Sequence, residues 1–446
     1  MKLAVKLGKR LWGMLFGLCL LMVTQRLDAR LPEIPEGQVE DEDTLSASGF
    51  QGDSFYLDME LRGRGEYRNG YGSMRKDGQR PAWFVGERER LSMGYSRGAL
   101  STHLGVQHVG VWGDDGLGGD KGKFGLNEAW ARYDVPAGWF VQVGRQVLSY
   151  DDERIFGAND WSGTGFSHNV IRLGYGHKAH SLHGVVGFNQ LGETNFGGTY
   201  YNGDMPYKNL QFLWYHFDKR DFPFRFSLMA LNQGLEIGKE NKPKTGYMQM
   251  LGGWFRYDLG SWYGKAEFYY ELGHDRNQRR MSACLFGGRL GYEESLWGAA
   301  LGLDVVSGAK NSLPWGTNNT YDMLYGSAHK FFGAMDYFVP GSVPTAGMAN
   351  VSASVHGNPL RNLHIWLDYN GFAMTHKRST LRRLMGSELD LRIQYKLAKD
   401  IELEGGYSMM LPTSSMAVLK GGNESAWQDW GWLSLRVSPR VFMWKK

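Results

Sequence analysis

Residues 55–68 alternate without a break between two kinds of side chain. Odd positions carry Phe55, Leu57, Met59, Leu61, Gly63, Gly65 and Tyr67; even positions carry Tyr56, Asp58, Glu60, Arg62, Arg64, Glu66 and Arg68. Side chains alternate across a strand, so this is one long strand with an apolar face and a charged face. A soluble sandwich would press the apolar face into a core. A barrel in an outer membrane gives it to lipid and turns the charged face to water. The same alternation returns at 265–272, 387–398 and 400–408. After residue 29 no 18-residue apolar run offers a membrane helix. Glycine, at 62 of 446 residues, and aromatics, at 14%, suit a chain of many strands and turns.

Segments of this kind fall at 54–68, 82–96, 98–112, 126–135, 138–149, 168–176, 179–189, 208–218 and 224–236. They continue at 245–257, 261–273, 281–293, 295–307, 348–357, 361–375, 386–397, 400–410 and 427–437. The expected fold is therefore all-β: a transmembrane antiparallel β-barrel of about 18 strands, an even number as in single-chain bacterial barrels. Alternation is weakest over 168–257. Short turns such as Pro136-Ala137-Gly138 and Ala398-Lys399-Asp400 alternate with longer loops at 113–125, 150–167, 190–207, 237–244, 308–347 and 411–426. Short turns on one side and long loops on the other mark the periplasmic and extracellular ends. Trp112, Trp139, Trp262, Tyr263, Trp297, Trp430 and Trp432 lie near strand ends, as in an aromatic girdle. A large exported β-sandwich array would not need such long strands with one fully charged face.

Residues 1–29 read as a secretory signal: a basic start, an apolar run of 13 residues from Leu11 to Val23, and a small-residue site at Leu27-Asp28-Ala29. Lys2, Lys6, Lys9, Arg10 and Arg26 against Asp28 give this segment +4, the whole formal charge of the chain, so the mature part is neutral. Nucleic-acid binding loses its electrostatic support. Residues 30–53 read as an acidic periplasmic tail, with Glu33, Glu36, Glu40, Asp41, Glu42 and Asp43, and 54–446 as the barrel. Cys284 is alone in the mature chain, so no internal disulfide is expected.

A barrel of this size encloses an aqueous channel, and its function lies in the lining. The alternation turns Arg62, Arg64, Arg68, Arg88, Arg90, Arg132, Arg172, Lys265, Arg289, Arg392 and Lys396 inward. Among the acids, Asp58, Glu60, Glu66, Glu128, Glu267, Glu271, Asp304, Glu388, Asp390, Glu402 and Glu404 face the same way. The arginines of the first two strands form a strip whose planar forks suit carboxylates.

Several stretches together resemble the alginate export family of outer-membrane barrels. They are "LDMELRGRGEYR" with "GERERLSMGY", "LNEAWARYDV" with Glu128, and "VQVGRQVLSYDDERIFGANDW" (141–161). Further on come "YDMLYGSAHKFFGAMDYF" (321–338), with His329, Gly333 and Asp336, and "GSELDLRIQYKLAKDIELEGGYSMM" (386–410). The resemblance implies an eighteen-stranded monomer whose Arg-lined pore passes an anionic uronate polymer, served by periplasmic export partners. By position it makes Arg62, Arg64, Arg88, Arg90, Arg145 and Arg172 pore-lining cations. Arg145 shares parity with Val141 and Val143, so a bulge before it would be needed to turn it inward.

No enzyme, cofactor or metal signature stands out. Ser327-Ala328-His329-Lys330 matches S-x-x-K outside the helical setting that motif needs. His103 and His183 have no nucleophile to serve, and no H-E-x-x-H or Cys pair is present. The loop at 113–125, with three Asp and six Gly, could take calcium but reads as an extracellular loop. The expected protein is a passive channel in the outer membrane of a Gram-negative bacterium, in contact with outer-membrane lipid and lipopolysaccharide. It would pass an anionic saccharide or small acid, with a general or nutrient-uptake porin as the alternative. A lipid-modifying barrel enzyme and an adhesin-like barrel are the readings from other classes.

Overall fold

The computed structural model describes residues 52–446 except 118, 197, 310–315 and 379–380. The export signal expected at 1–29 and nearly all of the acidic tail at 30–53 lie outside the described residues.

Among the described residues, nineteen hydrogen-bonded segments close into one antiparallel barrel. They are β1 (Ser54–Asn69), β2 (Ala82–Arg97), β3 (Leu100–Val111), β4 (Lys123–Val135), β5 (Trp139–Gln146), β6 (His168–His177), β7 (His180–Phe188), β8 (Asn209–Phe217), β9 (Phe224–Glu236) and β10 (Thr245–Leu259). Then come β11 (Trp262–His274), β12 (Arg280–Glu293), β13 (Trp297–Val306), β14 (Met348–Leu360), β15 (Leu363–Met374), β16 (Leu384–Ala398), β17 (Ile401–Pro412), β18 (Gln428–Val437) and β19 (Arg440–Lys445). Each pairs with its sequence neighbour, and β1 closes the ring against β18 and β19. β18 and β19 are one transmembrane strand broken at Pro439, which has no N–H to donate to the ladder. The barrel thus has the eighteen strands read from the alternation. The last strand, expected to end at 437, resumes beyond the proline, and Phe442 packs on Phe55 with ring centroids 6.1 Å apart.

The alternation is realised as two surfaces. Val143, Ile171, Leu213, Leu251, Leu301 and Val351 stand exposed on the outside, a lipid-facing band. At the short-turn end Trp139 packs on Tyr175, and Tyr292 lies between Trp262 and Trp297, forming part of an aromatic girdle. Three residues expected in that girdle point the other way: Tyr263, Trp430 and Trp432 are buried inside. An outward apolar band on a closed 18-strand barrel is an outer-membrane architecture, since closure leaves no strand edge unpaired in lipid.

The interior departs from an open channel. Leu210, Phe212, Met229, Leu231, Met248 and Met250 on β8–β10 are inward and 4% exposed or less. They belong to one apolar cluster with Phe156, Tyr325, Met335 and Phe338, all from long-side loops. Two loops therefore fold back into the barrel and pack there. A short helix, α1 (Ser414–Lys420), lies in the loop between β17 and β18.

Candidate functional site

The loop joining β5 to β6 (147–167) and the described stretch 316–347 of the one joining β13 to β14 meet inside the lumen. Phe156 and Tyr325 form a parallel bridge. Gly157 N–H donates to the Tyr325 carbonyl (3.1 Å), Tyr325 N–H to that of Ile155 (3.1 Å) and Ser327 N–H to that of Glu153 (3.0 Å). The two chains run so close at Gly326 that a Cβ there would collide with the backbone of Arg154. Phe156 stacks on Phe212 of the wall (4.5 Å), and Tyr150 packs on Trp214 (4.9 Å). Glu128 on β4 anchors the first loop by accepting the Val147 N–H at 2.8 Å.

The tip of the first loop sits on the arginine strip. Arg88 is almost wholly buried, bonding Glu60 and, at 2.7 Å, the Asp160 carboxylate. Arg62 donates to the carbonyls of Asp160 (2.8 Å) and Ser162 (3.0 Å). Arg64 bonds Glu66 (3.0 Å) and the Trp161 carbonyl (2.9 Å), with its guanidinium 4.1 Å above the Trp161 ring. Arg90 bonds Gln107 and lies 3.7 Å from Asp160. Burial raises the Asp160 pKa, but the Arg88 guanidinium, then Arg62 and Arg90, hold the carboxyl below its usual range. Trp161 in turn stacks face to face on His329 of the second loop (4.2 Å) and packs on Trp432 (4.8 Å).

Arg154, in the stretch 141–161 but absent from the expected pore cations, is the buried link to the opposite wall. It pairs with Glu267 (2.7 Å) and Asp304 (2.5 Å) and lies 3.6 Å over Phe331. Those carboxylates hold its guanidinium in the charged form against burial. Its charged and aromatic neighbourhood, unusual for a solvent loop, was the available signal.

The remaining expected residues separate. Arg172 is inward and bonds Gln142 (2.8 Å). Arg392 stacks over Trp366 (4.0 Å) and stands 3.5 Å from Glu404. Arg145 is not a lumen cation: the ladders on both sides of β5 pass it without a register shift. It stays on the face of Val143 and donates to the Leu126 carbonyl (2.9 Å). The bulge lies across from it, in β4, where the register shifts between Leu126 and Glu128.

Strand register also creates a feature that single-strand patterns hid. Arg225, Arg256, Lys265 and Arg289 are directly opposed across β9, β10, β11 and β12, all inward. Asp258 takes the first two, at 2.7 and 2.9 Å. Lys265 and Arg289 have no ion pair among the described residues; Arg289 donates to Ser354 Oγ (2.9 Å). Both line a cavity of about 450 Å³. A second, of about 490 Å³, is bordered by Arg62, Arg64, Trp161 and Trp430. His329, Lys330, Asp368 and Asp390 border both, so the loop tip stands at their junction. Among the described residues the lumen thus keeps at least these two cavities beside an apolar plug, each of a size that holds a small solute.

No protein-family model matches the chain, and no curated protein matches it. Solved structures do. OccAB1 of Acinetobacter baumannii aligns with a TM-score of 0.60 at 11% identity, over 87% of this chain and 97% of that one. A BenF-like porin from Pseudomonas fluorescens gives 0.60 at 12% over 87% and 99%. OpdO of Pseudomonas aeruginosa gives 0.59 at 15% over 87% and 98%. The chain has the fold of these outer-membrane porins. The resemblance to the alginate export family finds no support in the family models.

Proposed function

We propose that this barrel is a passive uptake porin of the outer membrane, working as a monomer and favouring a small anionic solute. The observation that carries this is the opposed pair Lys265 and Arg289, cationic, unpaired with any acid among the described residues, and facing a luminal cavity. Like charges directly opposite one another weaken a sheet, and a passing anion relieves the repulsion. The two inward loops support a small solute over a polymer, since Phe156, Tyr325 and Met335 occupy the bore a chain would thread. This sets uptake of a small acid above export of an anionic polysaccharide through periplasmic partners.

The test is planar-bilayer recording of the refolded barrel in a KCl gradient. Lys265→Gln/Arg289→Gln should lower the chloride-to-potassium permeability ratio about two- to threefold with conductance retained. An unchanged ratio would remove the pair from the permeation path. Block by an oligouronate, but not by a small organic acid, would restore the polymer reading.

A further inference from the structure

On the lipid-facing side of β8–β10 a row of amides interrupts the apolar band. Gln211, Asn232 and Gln249 stand directly opposite one another on three adjacent strands. By parity they share the outward face of the exposed Leu213, Leu228 and Leu251. Asn232 Nδ2 donates to Gln211 Oε1 (2.7 Å), and Gln249 Nε2 donates to Asn232 Oδ1 (2.8 Å). Gln211 Nε2 continues the row to Asn209 Oδ1 (3.0 Å). A primary amide carries two N–H groups, and the row uses one from each of these three donors. Polar groups facing hydrocarbon are costly unless hydrogen-bonded, so the second N–H of each calls for an acceptor from outside the barrel.

The next register row has the shape to receive a chain. Leu213 lies between Gly184 and Ala230, and Leu251 lies beyond Ala230. The two small residues leave a notch on either side of Leu213. The result is an outward cleft of about 600 Å³, walled by Ile171, Val186, Leu213 and Leu251 and bordered by the three amides. On the other side of the amide row, toward the long-loop end, is the hairpin 237–244 that joins β9 to β10. It carries Lys239, Lys242 and Lys244 against one acid, Glu240. All three lysines are exposed, and none is ion-paired among the described residues. From Thr245 to Gln249 is four residues of strand, ~14 Å at the usual rise.

From the long-loop end downward the order is therefore cation, amide, hydrocarbon. The long-loop end of an outer-membrane barrel faces the outer leaflet. Lipopolysaccharide, the lipid of that leaflet, is layered to match: phosphates, then amide-linked hydroxyacyl groups, then acyl chains. We propose that this outer face of β6–β10 binds one lipopolysaccharide molecule. An acyl chain lies in the cleft, its amide linkage and hydroxyl bond the Gln211–Asn232–Gln249 row, and its phosphate meets the hairpin lysines. A second barrel suits the face less well, because a two-fold contact there would set the lysines of both copies side by side. The site is on the outer wall and does not depend on the porin reading.

The experiment is native mass spectrometry of the barrel refolded free of lipid and titrated in detergent with bisphosphorylated lipid A. Wild type should take up one lipid A saturably, in preference to phosphatidylglycerol, an anionic lipid without amide-linked chains. Gln211→Leu/Asn232→Leu/Gln249→Leu and Gly184→Leu/Ala230→Leu should each bind about tenfold more weakly. Lys239→Gln/Lys242→Gln/Lys244→Gln should lose about tenfold or more. Ala353→Leu, opposite the exposed Leu301 on another part of the outer wall, is the control and should bind as wild type does. Heat-modifiable migration on gels checks folding, and the lysine variant, confined to a loop, decides the matter if a strand variant does not fold. No saturable uptake, equal uptake of phosphatidylglycerol, or undiminished binding by the amide or lysine variant overturns the site. Paired barrels that the cleft variant separates would give the face to a second copy and equally overturn it. Conductance of the amide variant should match wild type, so the channel reading and this site fail separately.

Discussion

The arginine strip of β1–β2 and the cation row of β9–β12 carry the same charge on the same inner surface, but they stand in opposite electrical states. In the strip, Glu60, Glu66, Asp160 and loop carbonyls take up Arg62, Arg64, Arg88 and Arg90, and the arginines serve as a socket for the 147–167 loop. In the row, Asp258 takes two members and Lys265 and Arg289 stay open to the cavity. A dense charge pattern is thus a poor guide to which charges meet a solute. Arginine with many donors in a fixed fork is well suited to holding a loop. The available charge sits where neighbouring strands align like residues and, among the described residues, the inserted loops border the cavity without forming an ion pair with Lys265 or Arg289.

The contrast can be broken most forcefully at Arg154. Arg154→Ala leaves the buried Glu267 and the half-buried Asp304 without their partner. The expected loss is about 3–5 kcal/mol of loop anchoring and fold stability, read as a lower thermal transition together with larger, noisier single-channel currents. Unaltered stability and quiet currents would mean that the loops are held by their apolar contacts alone. Asp160→Asn acts on the other region. It frees part of the arginine strip and should raise the chloride-to-potassium permeability ratio about threefold, with little change in melting. If the ratio does not move, the strip is sealed from the conducting path even when unpaired.

The smallest expected effect is at the base of the same loop. Burial pushes the Asp151 carboxyl up to about 6, opposed by bonds from Ser227 and from Trp214 (3.2 Å). A folded-state value above the unfolded one near 4 means that this group's stabilising contribution is present below pH 4 and lost as pH rises through 6. Wild type should therefore lose about 1 kcal/mol between pH 4 and pH 8 relative to Asp151→Asn. Denaturation midpoints at the two pH values measure it, and parallel shifts in both proteins would show that Asp151 carries none of it.

The weakly patterned middle of the chain shows where alternation stops being readable. On β8, Leu213 meets lipid while Phe212 meets Phe156 of the inserted loop, so both faces are apolar and the period of two fades. The strand bounds there were still legible, because turns such as Asp218–Pro223 punctuate them. On β1 the inner face meets water and loop carbonyls, and the pattern stays sharp. Tyr263, Trp430 and Trp432 misled for the same reason: an aromatic near a strand end looks alike whether it meets headgroups or turns inward, as Trp430 and Trp432 do onto Trp161 and Tyr263 does under Arg256.

Sequence alone determined the barrel and its strand count, because a strand's two faces follow from a period of two with no outside help. It placed Arg62, Arg64, Arg88, Arg90, Glu128, Arg172, Asp304 and Arg392 on the lumen side. Only the tertiary structure decided that Arg145 stays outward, that segments 147–167 and 316–347 turn into the bore, and that Arg225, Arg256, Lys265 and Arg289 stand in line. The reason is physical. Those outcomes depend on strand register and loop direction, which are set by contacts between residues far apart in the chain, and no local alternation records which distant residue a side chain will meet.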